Sequence, residues 1–450
     1  MIDGEHYLPV IKDALEALER ERDYKVLATV FIGGTEKILP DKDFSSLGVP
    51  VIAEPEVLKG IEKAIAEYSP DLIVDLSDEP IVGYKERMLF ASHILKSGIS
   101  YAGADFRFDA PVFHSLAEKP SVSIVGTGKR VGKTAISAYF ARELKKAGFA
   151  PVTVAMGRGG PESPEVIDGA KLLTPECLLK ISDEGRHAAS DAYEDALMSR
   201  ITTIACRRCG GGLAGEPFIS NVVSGIEIAN KLSEKFIIIE GSGASLPPVR
   251  TDACILTVGA NQPLEYVDGY FGTYRILLSD LVVMTMCEDP LADMKKLAAV
   301  RASIERINPE AEIVETIFRP GPLGVIEGRK VFFATTGPER MNEVIKKYLE
   351  DNFGCEVTAI CNHLANRKHL WADLQAGKGG FDLLLTELKA ASVDVATKVG
   401  LDLGVDVVYC DNIPLAVGRG ANLAEMMLDL AEIARERFSL DFAGKAAKGI

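Results

Sequence analysis

The sequence predicts an α/β protein with mostly parallel sheets, and two observations support this. Short apolar segments that suit buried strands alternate along the chain with amphipathic segments that suit helices. A glycine-rich turn at residues 126–132 stands directly between one such strand and one such helix. With 450 residues, 47% of them hydrophobic, the chain can form about two to four domains with cores of their own.

Residues 1–118 are expected to form an N-terminal α/β domain. Apolar strands are predicted at residues 25–32 and 71–76, and an amphipathic helix at about residues 83–96. Pro120 then marks a boundary, because proline interrupts helices and central strands. The alternation favours a parallel sheet with helices on its faces.

Residues 119–325 are expected to form the central domain, whose strands enclose a long insert. The predicted strands are residues 121–125, 151–156, 236–239, 253–258, 281–285 and 313–318, and a helix is predicted from Lys133 to Lys146. The insert, at about residues 157–235, carries several glycines and arginines. Long inserts of this kind are where α/β domains usually build substrate specificity.

A cluster of proline and glycine at residues 320–324 predicts a linker after the central domain. Beyond it, residues 326–450 are expected to form a C-terminal α/β domain. Its predicted strands are residues 331–334, 355–360, 381–385 and 405–409. The amphipathic segment at residues 423–438 predicts a terminal helix packed on the core.

The strongest motif is the loop Gly-Thr-Gly-Lys-Arg-Val-Gly-Lys-Thr at residues 126–134. Its place after a strand and before a helix predicts a P-loop, in which backbone N–H groups surround a phosphate and a lysine reaches its oxygens. The strict spacing would put the first glycine at Thr127, so Gly126 stands one residue early. The predicted nucleotide-binding residues are Gly128, Lys129, Arg130, Val131, Gly132, Lys133 and Thr134.

A metal-binding carboxylate is predicted at Glu240, which directly follows the apolar strand at residues 236–239. Together with the Thr134 hydroxyl it would hold Mg²⁺, a cation that prefers oxygen ligands. Asp183 and Glu184 in the insert are weaker candidates for the same role. ATP is the predicted nucleotide, because the segment after residues 281–285 lacks the lysine of guanine-specific P-loop proteins.

Cations in the insert predict an anionic second ligand. The stretch from residue 200 to residue 215 contains arginines and no acidic residue, and it ends in a run of glycines. Arginine beside glycine-rich backbone suits bidentate recognition of phosphate. The predicted substrate-binding residues are Arg158, Arg186, His187, Arg207 and Arg208.

The remaining metal-ligand types give weaker signals. Cys206 and Cys209 form a single Cys-x-x-Cys pair without a second pair or a histidine at ligand spacing, which argues against four-coordinate zinc. We assign Cys361, His363 and His369 to core and loop positions.

Composition limits the location and the partners. No apolar run approaches the roughly 20 residues that a membrane helix needs, and the first residues lack the layout of a signal peptide. Eight scattered cysteines suit a reducing compartment. We therefore expect a cytoplasmic protein with no membrane partner. The net charge of −15 also argues against a nucleic-acid partner.

Several motifs together resemble cyclic 2,3-diphosphoglycerate synthetase. They are the P-loop at residues 126–134, the segments 156–162, 185–197 and 240–244, and the upstream segment 75–80. The resemblance covers essentially the whole chain. The P-loop alone is also similar to that of dethiobiotin synthetase, which has the same early glycine, so the spacing departure is a subfamily trait.

The resemblance implies a P-loop NTPase core flanked by N- and C-terminal α/β domains. It also implies a ligase that uses ATP to join the two phosphates of 2,3-diphosphoglycerate into an intramolecular anhydride, with Lys133, Lys129 and Glu240 as catalytic residues. A homodimer is compatible with the sequence. A dethiobiotin-synthetase-like ligase and a partitioning-type ATPase switch stay open as alternatives, although the first is about half this length and the second expects its lysine one residue earlier than Lys129.

Overall fold

The computed structural model describes residues 1–38, 43–171, 173–418 and 420–448, so residue 172 of the predicted insert lies outside the described residues. It divides the chain into two compact units. The small unit consists of Met1–Pro111 and Leu264–Leu278, and the large unit of Val112–Pro263 and Ser279–Ile450. The expected central and C-terminal segments thus share the large unit, and a short piece of the central segment belongs to the small one.

The elements run in chain order as follows. The strands are β1 (Thr29–Val30), β2 (Val51–Ile52), β3 (Leu72–Val74), β4 (Ser100–Ala102), β5 (Arg107–Phe108), β6 (Ser121–Gly126), β7 (Pro151–Gly157), β8 (Glu165–Ile167), β9 (Thr203–Cys209), β10 (Ile219–Ser220), β11 (Phe236–Glu240), β12 (Ala253–Gly259), β13 (Leu281–Thr285), β14 (Glu312–Pro322), β15 (Lys330–Ala334), β16 (Glu356–Cys361), β17 (Leu383–Glu387) and β18 (Asp406–Ala416). The α-helices are α1 (Leu8–Arg22), α2 (Val57–Tyr68), α3 (Tyr84–Lys96), α4 (Lys133–Lys146), α5 (Pro175–Asp183), α6 (Asp191–Ser199), α7 (Val222–Lys231), α8 (Glu265–Asp268), α9 (Gly272–Leu277), α10 (Met294–Ile307), α11 (Asn342–Phe353), α12 (Arg367–Ala376), α13 (Lys398–Asp402) and α14 (Leu423–Lys448). Short 3₁₀ turns occur at Ser45–Leu47 and Glu339–Met341, and a π-helical turn at Ser392–Thr397.

The small unit contains two short sheets. β1 pairs with β2 in parallel, β3 pairs with β4 in parallel, and β5 adds to β4 in the antiparallel sense. The strand predicted at residues 25–32 is much shorter in the structure, because the strand that pairs with it is only two residues long. Asp75 follows β3 and accepts hydrogen bonds from Tyr101 Oη at 2.6 Å and Arg87 Nε at 3.1 Å, which satisfies a nearly buried carboxylate.

The large unit is built on one 13-stranded sheet. The strand order is β10-β9-β7-β11-β6-β12-β13-β14-β18-β17-β15-β16, and β8 pairs with β9. The pairs from β7 to β14 are all parallel, as are the pairs among β15, β16, β17 and β18. The predicted α/β class with a mostly parallel sheet is therefore confirmed.

The predicted linker at residues 320–324 is wrong for its first half, because residues 320–322 belong to β14. Beyond Glu315, the strand leaves β13 and pairs in the antiparallel sense with β18, with Pro320 opposite Asn412 and Pro322 opposite Cys410. Proline is tolerated in a strand where one side of the ladder has no partner. This antiparallel pair joins the two parallel halves of the sheet.

The core beside the P-loop strand contains side chains from both ends of the large unit. Phe140 and Leu144 of α4 pack with Phe236 of β11 and with Met427 and Leu430 of α14, all of them nearly inaccessible to solvent. The terminal helix predicted from residue 423 is therefore confirmed, and it packs on the core as expected. Helix α4, which follows the P-loop, is thus packed against both the sheet and α14.

Candidate functional site

The P-loop connects β6 to α4 with a tight backbone path. Arg130 and Gly132 adopt positive φ values of 62° and 88°. A Cβ atom on Gly126 would lie 2.8 Å from Val131 Cγ2, and one on Gly132 would lie 2.3 Å from Phe318 Cζ. Both glycines are therefore required for the loop to close against its neighbours. The predicted turn between the strand and the helix is present where the motif places it.

Lys133 spans this loop from the first turn of α4. Its Nζ donates to the carbonyl oxygen of Gly128 at 3.1 Å, so the ammonium lies across the mouth of the turn. The side chain is buried, and burial lowers the pKa of Lys133 from its ordinary value. A desolvated ammonium beside inward-turned backbone suits the oxygens of a phosphate chain.

Glu240 lies at the end of β11, next to the P-loop strand. Its Oε1 accepts a hydrogen bond from Thr134 Oγ1 at 2.7 Å, so the structure brings the two predicted metal ligands together. Burial raises the pKa of Glu240 to about 7, and the nearby Asp191 carboxylate acts in the same direction. The other oxygen, Oε2, is buried, and the Asp195 carboxyl group can hydrogen-bond to Glu240 when one of the two acids is protonated.

Three acids of α6 face the same place, and the sequence reasoning did not select them. Both carboxylate oxygens of Asp195 are buried, and burial together with the neighbouring Glu240 carboxylate raises the Asp195 pKa well above its ordinary value. Burial also raises the pKa of Glu194 to about 8. Asp191 and Glu194 line the same cavity as Glu240. They lay inside the motif at residues 185–197, but adjacent acids on a helix look like a solvated face when burial is unknown.

A cavity of about 850 Å³ opens in front of the P-loop. The predicted site residues that line it are Lys129, Arg130, Gly132, Lys133, Thr134, Arg158, His187 and Glu240. Repulsion by Arg158 lowers the pKa of Lys129, which shows that these two cations are close. The His187 ring packs against Gly159, where a Cβ atom would lie 2.8 Å from its Cδ2.

The other insert arginines lie elsewhere. Arg186 forms an ion pair with Glu165 and donates to Tyr193 Oη at 2.8 Å, and it does not line the cavity. Arg207 is exposed at the end of β9. Arg208 donates to the carbonyl oxygens of Gly210 at 2.7 Å and Ser242 at 2.9 Å, so it supports the turn that follows Glu240. Asp183 and Glu184 are both exposed and do not line the cavity.

Comparison with known proteins identifies the family. Three family models match consecutive parts of the chain: the cyclic 2,3-diphosphoglycerate synthetase N-terminal domain at residues 1–109, its P-loop domain at 121–317 and its C-terminal domain at 322–413. Cyclic 2,3-diphosphoglycerate synthetase from Methanothermus fervidus is 50% identical over 447 residues, and the match covers 97% of each chain. The chain belongs to the cyclic 2,3-diphosphoglycerate synthetase family.

Other members of this synthetase family agree. The protein of that name from Methanothermobacter thermautotrophicus is 47% identical, with 98% of this chain and 97% of the other covered. The one from Rubrobacter xylanophilus is 45% identical, with 93% and 94% covered. The resemblance seen in the motifs is thus confirmed, and the chain is an enzyme of the synthetase type with a P-loop nucleotide-binding domain.

Solved structures add only a weak likeness. The structure of LpxK from Aquifex aeolicus in complex with ATP is 14% identical, with a TM-score of 0.44, and the match covers 79% of this chain and 96% of that one. The family assignment therefore depends on the sequence matches. No helix within the described residues is both long enough and apolar enough to cross a membrane.

In this member of the synthetase family, the C-terminal segment forms the far wall of the cavity. Arg340 and Lys389 supply its positive charge, and Thr336, Asn342, Asn362, Glu387 and Asn412 supply polar groups. These residues follow the carboxyl ends of β15, β16 and β17 or lie close to them, which is where ligands bind in parallel sheets. No contiguous sequence motif marks this wall, so it could not be predicted from the sequence.

Lys389 is held between two carboxylates at this wall. Its Nζ lies 3.2 Å from Glu194 Oε1, which connects α6 to the segment after β17. Burial opposes its charge, yet Glu194 and Glu387 raise the pKa of Lys389 above its ordinary value. Glu387 in turn accepts from the Thr336 backbone N–H at 2.8 Å and from Asn412 Nδ2 at 2.9 Å. Lys389 is therefore a fixed, fully charged cation in the cavity.

Proposed function

We propose that the enzyme closes an intramolecular phosphoanhydride in 2,3-diphosphoglycerate at the expense of ATP, with ADP and inorganic phosphate as the other products. The observation that carries this proposal is a single cavity with a P-loop on one side and a second cationic wall, Arg340 and Lys389, on the other. A P-loop by itself binds one polyanion, the nucleotide. This cavity also has cations on its opposite side, where a second polyanion can bind. The names of the relatives supply the identity of the second polyanion.

The reaction has two steps that balance. A phosphate oxygen of 2,3-diphosphoglycerate attacks the γ-phosphorus of ATP, and the bond to the β-phosphate oxygen breaks, so ADP leaves. An oxygen of the substrate's second phosphate then attacks the inner phosphorus of the new diphosphate group, and inorganic phosphate leaves as the ring closes. Both nucleophiles are anions at neutral pH, so neutralisation and positioning matter more than proton transfer.

The chain's own residues supply that neutralisation. Lys133 and the P-loop backbone hold the phosphates of the nucleotide, and Lys129, Arg130 and Arg158 surround the place where the two anions meet. Because Lys129 and Arg158 already repel each other, a bound polyanion relieves that repulsion as well as gaining contacts. We assign His187 to the same anion-binding group. Arg340 holds the remaining charge of the substrate, and Lys389, whose charge Glu194 and Glu387 already balance, offers it N–H donors.

The residues around Glu240 fit a divalent cation. Glu240 and Asp195 bring two buried carboxyl groups together, which is costly unless a cation or a shared proton compensates. Thr134 and Glu240 would hold Mg²⁺, which supplies charge stabilisation to the transferring phosphoryl group when bound. Oxygen-only ligands are the set that Mg²⁺ prefers.

Location and assembly belong to the same proposal. All eight cysteines are free, and six of them are buried, which suits the reducing cytoplasm. A homodimer and the absence of a nucleic-acid partner stay predictions. Sedimentation analysis of the purified enzyme tests the first, and a DNA- and RNA-binding assay tests the second.

Substrate-dependent ATP turnover tests the function. The purified enzyme should hydrolyse ATP rapidly only when 2,3-diphosphoglycerate is present, and phosphorus NMR should show the cyclic anhydride accumulating with ADP. ATP turnover that depends on another small-molecule acceptor, and not on 2,3-diphosphoglycerate, would instead favour the dethiobiotin-synthetase-like ligase. Slow turnover that responds to a protein or membrane partner and not to 2,3-diphosphoglycerate would favour the ATPase switch.

A further inference from the structure

A second cluster of metal-ligand side chains lies in the C-terminal segment, away from the P-loop. Cys361 ends β16, His363 follows two residues later, and Asp373 lies on α12. Asp373 Oδ2 is 2.7 Å from His363 Nδ1 and 3.2 Å from Cys361 Sγ. The ligand atoms of all three residues lie within 4.8 Å of one another. A thiol, an imidazole and a carboxylate therefore already meet at one point.

We propose that these three residues form a zinc site. Thiolate, imidazole and carboxylate are the three ligand types that zinc takes in proteins, whereas the oxygen-only group at Glu240 suits magnesium. Ligand atoms around a tetrahedral zinc ion lie about 3.3–3.5 Å apart, given bond lengths of about 2.0–2.3 Å. The Nδ1–Oδ2 contact must open by about 0.6 Å when the ion replaces the shared proton. The side chains of His363 and Asp373 are 44% and 39% exposed, so they can move apart by this distance without disturbing the core.

His369 is a candidate fourth ligand beside this group, although its ring nitrogens lie outside the three ligand atoms that are within 4.8 Å of one another, and its Nδ1 is 3.2 Å from Asn366 Nδ2. Its ring centroid lies 5.2 Å from that of His363, and it stands one helical turn before Asp373 on the same face of α12. The chain contains only six histidines, and two of them meet beside this thiol. Cys361, His363 and His369 were predicted at core and loop positions, because no Cys-x-x-Cys pair or regular ligand spacing marks them.

The zinc site would brace the far wall of the substrate cavity. The residue between the two proposed ligands, Asn362, lines the cavity, where its Nδ2 donates to the Gly337 carbonyl oxygen at 2.8 Å and to Asn342 Oδ1 at 3.0 Å. Cys361 instead packs in the core cluster on the other side of β16. An ion held by Cys361 and His363 therefore fixes the strand end from behind, and it takes no part in phosphoryl transfer.

Cobalt binding tests the proposal, since Co²⁺ replaces Zn²⁺ and reports its ligands by colour. The full-length enzyme is treated with a chelator, freed of nucleotide and titrated with Co²⁺ in excess Mg²⁺. We expect one equivalent to produce a thiolate-to-cobalt charge-transfer band in the near ultraviolet. Cobalt bound at the P-loop would not produce this band, because no cysteine of the described residues lines that cavity. The result is therefore independent of the proposed reaction.

Matched variants assign the band. Cys361→Ser should abolish it, whereas Cys355→Ser, which changes another buried thiol one residue before β16, should leave it unchanged. Should Cys361→Ser fail to fold, His363→Gln provides the second test, because this half-exposed side chain can change without disturbing the core. It should weaken Co²⁺ affinity at least tenfold and reduce the rise in Tm that Zn²⁺ causes in the unaltered enzyme. A wild-type enzyme without the band, or a band that survives in folded Cys361→Ser, overturns the zinc site.

Discussion

Two groups of basic residues in the large unit differ in what they contact. The group at the cavity, Lys129, Arg130 and Arg158, has no ion-pair partner among the described residues. Of the insert group, Arg186 is paired with Glu165, Arg207 is exposed, and Arg208 donates to two backbone carbonyls. An acid-free stretch of sequence thus does not by itself make an anion site. We expect Lys129, Arg130 and Arg158 to bind the ligand, because the fold gathers these cations at the cavity and leaves them unpaired.

The first test of this contrast is Lys133→Ala, from which we expect the largest effect. Lys133 reaches across the P-loop to the Gly128 carbonyl oxygen, so its loss removes stabilisation of charge on the transferring phosphoryl group. Such a loss costs on the order of 10²–10³-fold in rate. Steady-state synthesis assays measure it, and circular dichroism should show an unchanged fold.

Lys146→Ala is the matched control for Lys133→Ala. Lys146 lies at the other end of α4, where it is exposed and pairs with Glu143 at 2.7 Å. Its removal should leave the rate near that of the unaltered enzyme, because exposed pairs contribute little. Normal turnover in folded Lys133→Ala, or equal losses in the two variants, would remove the P-loop from the mechanism.

The P-loop could be predicted from sequence, whereas the opposite wall could not. The P-loop is contiguous, so strand, glycines and lysine all appear in one nine-residue window. Arg340, Asn362 and Lys389 come from three separate strand ends and meet only through the order of strands in the sheet. Glu194 and Asp195 were missed for a different reason. Their importance depends on burial, and that in turn depends on how α6 packs.

Glu240→Gln should produce the second largest effect. The amide keeps the size of the side chain and can still accept from Thr134, but it removes the charge that a cation needs. We expect a fall in rate of about 10²-fold with a higher Mg²⁺ requirement and nearly unchanged ATP binding. Magnesium titrations of both proteins, with calorimetry of a non-hydrolysable ATP analogue, provide the measurement. An unchanged magnesium dependence would transfer the metal role to another acid, with Asp195 first in line.

Arg340 of the far wall and Arg207 of the insert allow a direct comparison between a cation that lines the cavity and one that does not. Arg340→Ala should raise the KM for 2,3-diphosphoglycerate by about tenfold, since a hydrogen bond to a charged group is lost. Arg207→Ala serves as the matched variant, and it should raise this KM far less because Arg207 is exposed and does not line the cavity. If Arg207→Ala has the larger effect, the insert arginines recognise the substrate as the sequence suggested.

The pH dependence of stability tests the buried carboxyl groups. Burial raises the pKa of Glu240 from 4.5 to about 7 and that of Glu194 from 4.5 to about 8. Between about pH 4.5 and pH 8 the folded protein therefore binds more protons than the unfolded chain. Its free energy of unfolding should fall as the pH rises through that range. We expect the Tm of the metal-free enzyme to decrease by a few degrees across this pH range. Added Mg²⁺ should raise the Tm most at the alkaline end of the range, where the carboxyl groups are ionised. A Tm that is level or rises over the same range would show that these groups titrate normally.

Arg186→Ala should produce the smallest effect. Arg186 and Glu165 are 42% and 36% exposed, and exposed ion pairs contribute only about 0–1 kcal/mol to the free energy of unfolding. The hydrogen bond to Tyr193 Oη adds a contact beside the core of the insert, so we expect a small decrease in Tm. The KM for 2,3-diphosphoglycerate should stay within about twofold, because the guanidinium is already paired and does not line the cavity. His187→Ala, one residue away and in the cavity, should raise the same KM more. A large KM increase for Arg186→Ala alone would mean that substrate binding breaks the pair with Glu165 and draws the arginine inward.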